Sequence, residues 1–324
     1  MSNRPILVTG GAGFIGSHLA ARLLRDGYEV HILDDFSSGR ISNVPRGAIV
    51  HKMDIRSRRV HLLFGRYSYS VLFHQAAQMN VRRSVLNPLG DTDINVMGTI
   101  NLLEAGREHG LQKVIFATSG GVIYGEPVRV PQDEEHPLNP VSPYGISKMT
   151  CERYLRYYWE RCNLPYVALS CGNVYGERQN PLSGAGVICI FLEKMYAGAR
   201  PTINGSGGKT RDYVYISDVV EANMRALQYH GIGVFNVGTG IETDVNTIFR
   251  MLRDICGLDI EPLRGPDMQG EQRRSVLDVT RIGRMLGWSP AVGLKDGLRQ
   301  PVSWYREQRG QVPAEVGRLQ EAPA

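Results

Sequence analysis

The sequence predicts an α/β protein: a doubly wound parallel sheet with a smaller α/β substrate-binding unit towards the C-terminus. Three observations predict it. Apolar runs alternate with amphipathic stretches through the first half of the 324 residues. A glycine-rich turn joins the first apolar run to the first amphipathic one. A Tyr and a Lys spaced four apart fall in a later helical stretch. Strands that read as continuous apolar runs suit a parallel sheet with helices on both faces.

Residues 5–9 (Pro-Ile-Leu-Val-Thr) read as a short buried strand, and 15–26 as the helix after it. Between them Gly10, Gly13 and Gly16 follow a G-x-x-G-x-x-G spacing. Glycine permits the tight turn and close approach of backbone to a pyrophosphate, and the helix N-terminus then faces the phosphates. A second strand at 29–33 ends in Asp34 and Asp35; Asp34 lies 18 residues beyond Gly16, where a carboxylate can hold adenosine ribose hydroxyls. A carboxylate there repels a 2′-phosphate, which favours NAD over NADP; Arg40 is the one nearby residue that suits NADP. Further strands are expected at 48–52, 70–73, 113–117 and 165–169, with helices at 93–109 and 144–162. After residue 173 the sequence becomes turn-rich, and Val234–Gly238 reads as a strand returning to the sheet. The expected division is a Rossmann-type domain of 1–173 plus about 213–240, a second, smaller unit of about 174–212 plus 241–306, and a polar tail at 307–324.

Tyr144 and Lys148, about 130 residues after the glycine turn, share one helix face. An ammonium beside a phenol favours phenolate, which turns Tyr144 into a general base. Pro143 suits the start of that helix.

Composition narrows the class. Hydrophobic content of 42% and 21% charge are ordinary for a globular enzyme. No run of 18 apolar residues predicts a membrane span. The net charge of +5 is dispersed, apart from Arg56, Arg58 and Arg59, which read as a solvated face and not a nucleic-acid stripe. Five cysteines without C-x-x-C spacing predict reduced thiols, and Met1–Arg4 leads straight into the first strand; a cytoplasmic protein without metal is expected.

From Arg4 to Arg306 the chain resembles the extended short-chain dehydrogenase/reductases of the NAD-dependent epimerase/dehydratase family, closest to those that are UDP-glucose 4-epimerase-like. The resemblance is carried by Thr9–Gly16, His74–Gln78, Asn95, Thr118–Gly125, Tyr144 with Lys148, Gly172–Gly176, Thr210–Val214 and Asn236–Gly240. It implies that Phe14 and Ile15, with the glycines, line the NAD site, joined by Asp34, Asp35, Ser37, Ser38 and Gly39. Asp54 and Ile55 would flank the adenine, and Ala76, Ala77, Gln78 and Asn95 would border the cofactor. Tyr144 would be the base, with Lys148 also holding the nicotinamide ribose. For a nucleotide-diphosphate sugar the resemblance implies Asn173 and Arg211 at the pyrophosphate and Asp278 at the nucleoside ribose. Arg82, Val187, Thr202, Asn204, Arg274 and Ser275 complete that set, and a homodimer through 93–109 and 144–162 is implied as well.

Two positions depart from the family pattern. Met268 stands where many relatives carry arginine, two residues before the glycine matched by Gly270, so Arg273 or Arg274 would supply that phosphate contact. Relatives place Ser or Thr four residues before the tyrosine matched by Tyr124, but Gly120 stands there. The catalytic hydroxyl is therefore assigned to Ser119, just before the glycine pair, with Thr118 as the alternative. The expected activity is 4-epimerisation of a UDP-hexose or UDP-N-acetylhexosamine through a 4-keto sugar. The alternatives are a UDP-glucuronate epimerase or decarboxylase, a 4,6-dehydratase, and a non-catalytic NAD-binding protein. Ser119–Tyr124 contains no carboxylate for chemistry beyond C4, which weighs against dehydration and decarboxylation, and the presence of both Tyr144 and Lys148 weighs against loss of catalysis.

Overall fold

The structure, a computed structural model, describes residues 4–183, 186–267 and 272–310. Strand β1 (Ile6–Thr9) leads through the glycine turn into helix α1 (Phe14–Arg25), and β2 (Val30–Asp34) and β3 (Ile49–Lys52) extend the sheet on one side. Helix α2 (Arg59–Tyr67) returns the chain to β4 (Val71–His74), on the other side of β1. Two short helices, α3 (Val81–Leu86) and α4 (Pro88–Thr92), precede a π-helical turn at Asp93–Met97 and then α5 (Gly98–Glu108). Next come β5 (Lys113–Ser119), the single turn α6 (Gly120–Ile123), the 20-residue helix α7 (Pro143–Cys162) and β6 (Tyr166–Cys171).

The remaining chain forms β7 (Asn173–Tyr175), α8 (Val187–Tyr196), β8 (Thr202–Asn204), β9 (Thr210–Tyr215) and α9 (Ile216–Gln228). It continues with β10 (Gly233–Val237), β11 (Glu242–Asp244), α10 (Val245–Cys256), β12 (Leu263–Gly265), α11 (Thr280–Leu286) and α12 (Leu294–Arg309). The main sheet has seven parallel strands in the order β10-β6-β5-β4-β1-β2-β3. Successive strands step outwards in opposite directions from β1, so a crevice opens at the carboxyl ends of β1 and β4, where such sheets bind ligands.

Side chains alternate across β1: Ile6 and Val8 join the core on one face with Leu19, Leu23 and Ile32, while Leu7 joins the other with Phe64, Leu72 and Phe116. Leu7 is fully buried, so Leu7→Ala should cost about 2–5 kcal/mol. A third core forms where α8, α10 and α12 meet, through Phe191, Met195, Phe249 and Leu298. A three-stranded sheet, β11-β9-β7, links this region to the main sheet's edge, and β8 pairs with β12 in a two-stranded one.

The expected strands all form, and Val234–Val237 does return to the sheet, beside β6. The expected helix at 93–109 divides instead into the π-helical turn and α5. Helices α2, α8 and α9 were not anticipated. The α8 sequence Val-Ile-Cys-Ile-Phe-Leu is apolar on nearly every side, so it carries no helical stripe to read. The positions Met268 and Gly270 lie outside the described residues, as does the tail from 311. No helix among the described residues is long and apolar enough to cross a membrane.

Candidate active site

Gly10 takes a left-handed φ of 68°, and a Cβ there would sit 2.7 Å from the Ala76 backbone nitrogen. A Cβ at Gly16 would strike the Gly10 carbonyl oxygen. These two positions require glycine, because the turn presses against the β4 end and α1 presses against the turn. Gly13 is the N-cap of α1 and offers no side-chain cap, and no acidic residue occupies the first turn, which Phe14, Ile15 and Gly16 begin. That leaves a cradle of backbone N–H groups suited to a pyrophosphate.

Asp34 closes the cradle at the end of β2. Its carboxylate accepts hydrogen bonds from the backbone N–H of Ala12 at 2.9 Å and of Phe36 at 2.8 Å. Burial pushes its pKa up, against the pull of those two N–H groups. Gly39 packs against it, since a Cβ there would lie 2.9 Å from Asp34 Oδ1. Asp35 turns outward and accepts from the Ser37 N–H and hydroxyl, and Ser38 and Arg40 are exposed beside it. Asp54 pairs with Arg56, whose guanidinium holds its carboxyl below the usual range, and the buried Ile55 packs on Gly98. With Ala76 and Ala77 following β4, these groups fit a dinucleotide laid across the crevice.

Asn95, on the π-helical turn, exchanges hydrogen bonds with the Gln78 backbone: Oδ1 accepts from Gln78 N–H and Nδ2 donates to Gln78 O, both at 2.9 Å. Both side chains also donate to Asp91 Oδ1, from Asn95 at 3.0 Å and from Gln78 at 2.8 Å. The other Asp91 oxygen accepts from Ser147 Oγ on α7 at 2.7 Å. Asp91 was not singled out from the sequence. Its signal was the four-residue spacing to Asn95 after the Asn87-Pro88 helix start.

Tyr144 and Lys148 lie on the buried face of α7, whose N-cap Ser142 accepts from Gly145 N–H at 3.1 Å. Lys148 Nζ donates to Ala117 O at 2.8 Å, 4.6 Å from the Phe116 ring centroid and 5.9 Å from that of Tyr144. Burial pushes Tyr144 up, with Asp91, Cys171 and Cys151 adding to it, and pushes Lys148 down. The direction for Tyr144 is opposite to the one expected from Lys148: burial outweighs the cation, whose ammonium is engaged with a β5 carbonyl. His74, behind them, is pushed down to about 3 by burial and is therefore neutral, bridging Thr9 and Thr99.

The end of β5 supplies the candidate hydroxyls. Ser119 is half-buried at the N-cap of α6 and makes no capping bond, whereas Thr118 is buried and its Oγ1 has no partner among the described residues. Gly120 is packed on Leu277, whose Cδ2 would lie 2.6 Å from an added Cβ, so a serine there would clash. At Gly121 the surroundings differ. An added Cβ would meet only Ser275 Oγ at 3.7 Å and Asn173 Oδ1 at 3.8 Å, both ordinary contacts. Asn173 and Ser275, 102 positions apart in the chain, thus converge on the glycine that follows the hydroxyl pair. Gly121 is a site residue that sequence reasoning passed over.

The other expected substrate residues are more dispersed. Asp278 accepts from Thr280 N–H at 2.7 Å, opening α11, while Arg274 makes a two-bond pair with Glu242. Arg211, on β9, donates to Thr210 O at 2.7 Å. Beside it the buried Asp212 accepts from Thr239, Gly240 and Leu277 backbone N–H groups, fixing the segment that carries Ser275. Val187 opens α8, Arg82 is exposed on α3, and Thr202 and Asn204 are exposed on β8.

Comparison with known proteins gives the same picture. The family described as NAD dependent epimerase/dehydratase matches residues 6–238. A UDP-glucose 4-epimerase of Mycolicibacterium smegmatis is 43% identical over 93% of this chain and 98% of its own. The crystal structure of a UDP-glucose 4-epimerase with UDP-glucose, from Thermotoga maritima, superposes with a TM-score of 0.92 at 42% identity, covering 94% of this chain and 99% of that one. A UDP-N-acetylglucosamine 4-epimerase from Methanobrevibacter ruminantium, in complex with UDP-N-acetylmuramic acid, gives 0.90 at 31% identity, covering 95% and 100%. With a family model matching most of its length and relatives 42% and 43% identical over nearly all of it, the chain belongs to the NAD-dependent epimerase/dehydratase family.

Proposed function

We propose that the protein is an NAD-dependent nucleotide-diphosphate-sugar 4-epimerase that acts on UDP-hexoses and UDP-N-acetylhexosamines. The observation that carries this reading is the approach of Asn173 and Ser275 to Gly121, two residues after Ser119, with Tyr144 and Lys148 on the buried face of α7 and Lys148 bonded to β5 at Ala117. Bound in the cradle, NAD would supply the acceptor for a hydride from sugar C4 and the donor for its return to the opposite face. Tyr144 removes the 4-OH proton and later returns it, Lys148 supplies the positive charge that favours the phenolate, and Ser119 orients the hydroxyl. Asn173 and Arg211 hold the pyrophosphate while the 4-keto sugar turns about it, which keeps one nucleotide anchored through both half-reactions. Ser119–Tyr124 offers no carboxylate for elimination or decarboxylation.

Residues 1–173 with 213–240 would form the cofactor domain, and 174–212 with 241–306 the nucleotide-sugar unit. Exposed apolar groups, Met97 on the π-helical turn and Ile146 and Tyr157 on α7, support a homodimer through those faces. All five cysteines are free, which supports a cytoplasmic setting. The test is incubation with a panel of nucleotide sugars and separation of the C4 epimers. Interconversion without added cofactor consumption is expected, and an inert panel would remove the reading.

A further inference from the structure

Glu152 continues the catalytic face of α7: Tyr144, Lys148 and Glu152 follow one another at four-residue intervals, and all three are buried. The function above makes no use of it. Only 8% of Glu152 is exposed, and its Oε1 has no hydrogen-bond partner among the described residues. A buried carboxyl with an unused oxygen is costly, so its retention calls for an explanation. Thr118 Oγ1, on β5, is buried beside it, near enough to favour the carboxylate but without a hydrogen bond of regular geometry to it.

Two acids accompany Lys148 inside the protein besides the Cys151 and Cys171 thiols, which burial pushes up and keeps neutral. They are Asp91 and Glu152. Asp91 is taken up by Gln78, Asn95 and Ser147. Glu152 is the one with capacity to spare. Its other side lines an open cavity of about 530 Å³, rimmed by the exposed Glu135, Arg153 and Arg156. The groups that face it are Lys148, Cys151 and Arg153 from α7, Thr118 from β5, Tyr124 after α6 and Tyr166 from β6.

We propose that Glu152 is a positioning residue for the base: its carboxylate keeps Lys148 in the ammonium form beside Tyr144, and it trades its own proton with solvent through the cavity behind α7. The proposal rests on Tyr144 and Lys148 acting as read above. The proton balance is simple. The neutral carboxyl releases its proton to water in the cavity, the carboxylate remains, and no bond to carbon changes. Burial pushes Glu152 up to about 7, partly offset by Thr118, Arg153 and Lys148, so the exchange takes place near neutrality. With the carboxylate present, Lys148 is drawn back towards its ordinary range, and the ammonium in turn favours the Tyr144 phenolate.

The test reads the phenolate directly. The ultraviolet difference titration of the protein against its Tyr144→Phe variant reports the Tyr144 midpoint, and the same pair is measured in a Glu152→Gln background. The proposal predicts a midpoint higher by about one pH unit, tenfold in the equilibrium, when the carboxylate is gone. An unchanged midpoint in folded Glu152→Gln would overturn it. Should that variant fail to fold, Glu152→Asp decides: a smaller shift the same way supports the proposal, and no shift overturns it. Absence of any Tyr144-dependent titration in the unmodified protein would sink the reading of the base itself, and the proposal with it.

Discussion

Ser147 Oγ donates to Asp91 at 2.7 Å, and this bond ties the helix that carries Tyr144 and Lys148 to α4, whose Asp91 also accepts from Asn95 on the π-helical turn. Asp91 is 1% exposed and accepts from three side chains on three separate segments. Asp91→Ala removes three acceptor contacts from a buried site and leaves Ser147 Oγ without its acceptor, at a cost of about 3 kcal/mol. Urea unfolding of Asp91→Ala, Ser147→Ala and the double variant should reveal a coupling of about 1 kcal/mol. Strict additivity would mean the two residues do not act together.

The choice between the two hydroxyls can be made by kinetics. Tyr144→Phe should abolish turnover and leave NAD binding nearly intact, because only the proton acceptor is removed. Ser119→Ala should lower kcat by roughly 10²-fold. If Ser119→Ala keeps its rate and Thr118→Ala loses it, the orienting role belongs to Thr118.

Gly121 and Ser275 should together set which sugars are admitted. The contacts of an added Cβ at Gly121 are ordinary, so Gly121→Ala should fold while narrowing the space between Asn173 and Ser275. Turnover of UDP-N-acetylglucosamine should fall roughly tenfold more than that of UDP-glucose. Ser275→Tyr should go further and exclude the acetylated sugar by overfilling the site. Equal losses for both sugars would show that neither residue lines the 2-substituent.

Much of this was legible in the chain. The glycine turn, Asp34 and the Tyr144–Lys148 spacing are local patterns, and local patterns are what a sequence displays. Asn173 and Ser275 could be named, but their meeting over Gly121 depends on how β7 and the segment before α11 fold back on β5. Asp91 was missed because two of its three partners, Gln78 and Ser147, come from other segments. The rise in the Tyr144 pKa was missed because burial is a property of the packed fold, while the favourable neighbour Lys148 is visible four residues away. The break of 93–109 into a π-helical turn and α5 was equally hidden, since the Asn95 side chain exchanges hydrogen bonds with the Gln78 backbone, well outside the helical stretch.

Stability should depend on pH through Glu152. Its folded pKa of about 7 lies above that of an exposed glutamate, near 4.5. Folding therefore favours the protonated form. The contribution is fully present below about pH 4.5 and is lost as pH rises through 7. Glu152→Gln removes the titration, so the stability difference between variant and parent should move by about 3 kcal/mol in the variant's favour over that window. Urea midpoints measured at intervals of pH check this, and parallel curves would show that Glu152 does not titrate in the folded protein.

The central claim is reversible oxidation at C4, and the fate of the C4 hydrogen tests it most directly. A UDP-hexose carrying deuterium at C4 is converted in ordinary water, and the product is examined by NMR. The account predicts that the deuterium remains at C4 in the epimer, because the hydride is returned from the cofactor to the same carbon. Loss of the label to solvent would contradict it and point to removal of C4–H as a proton.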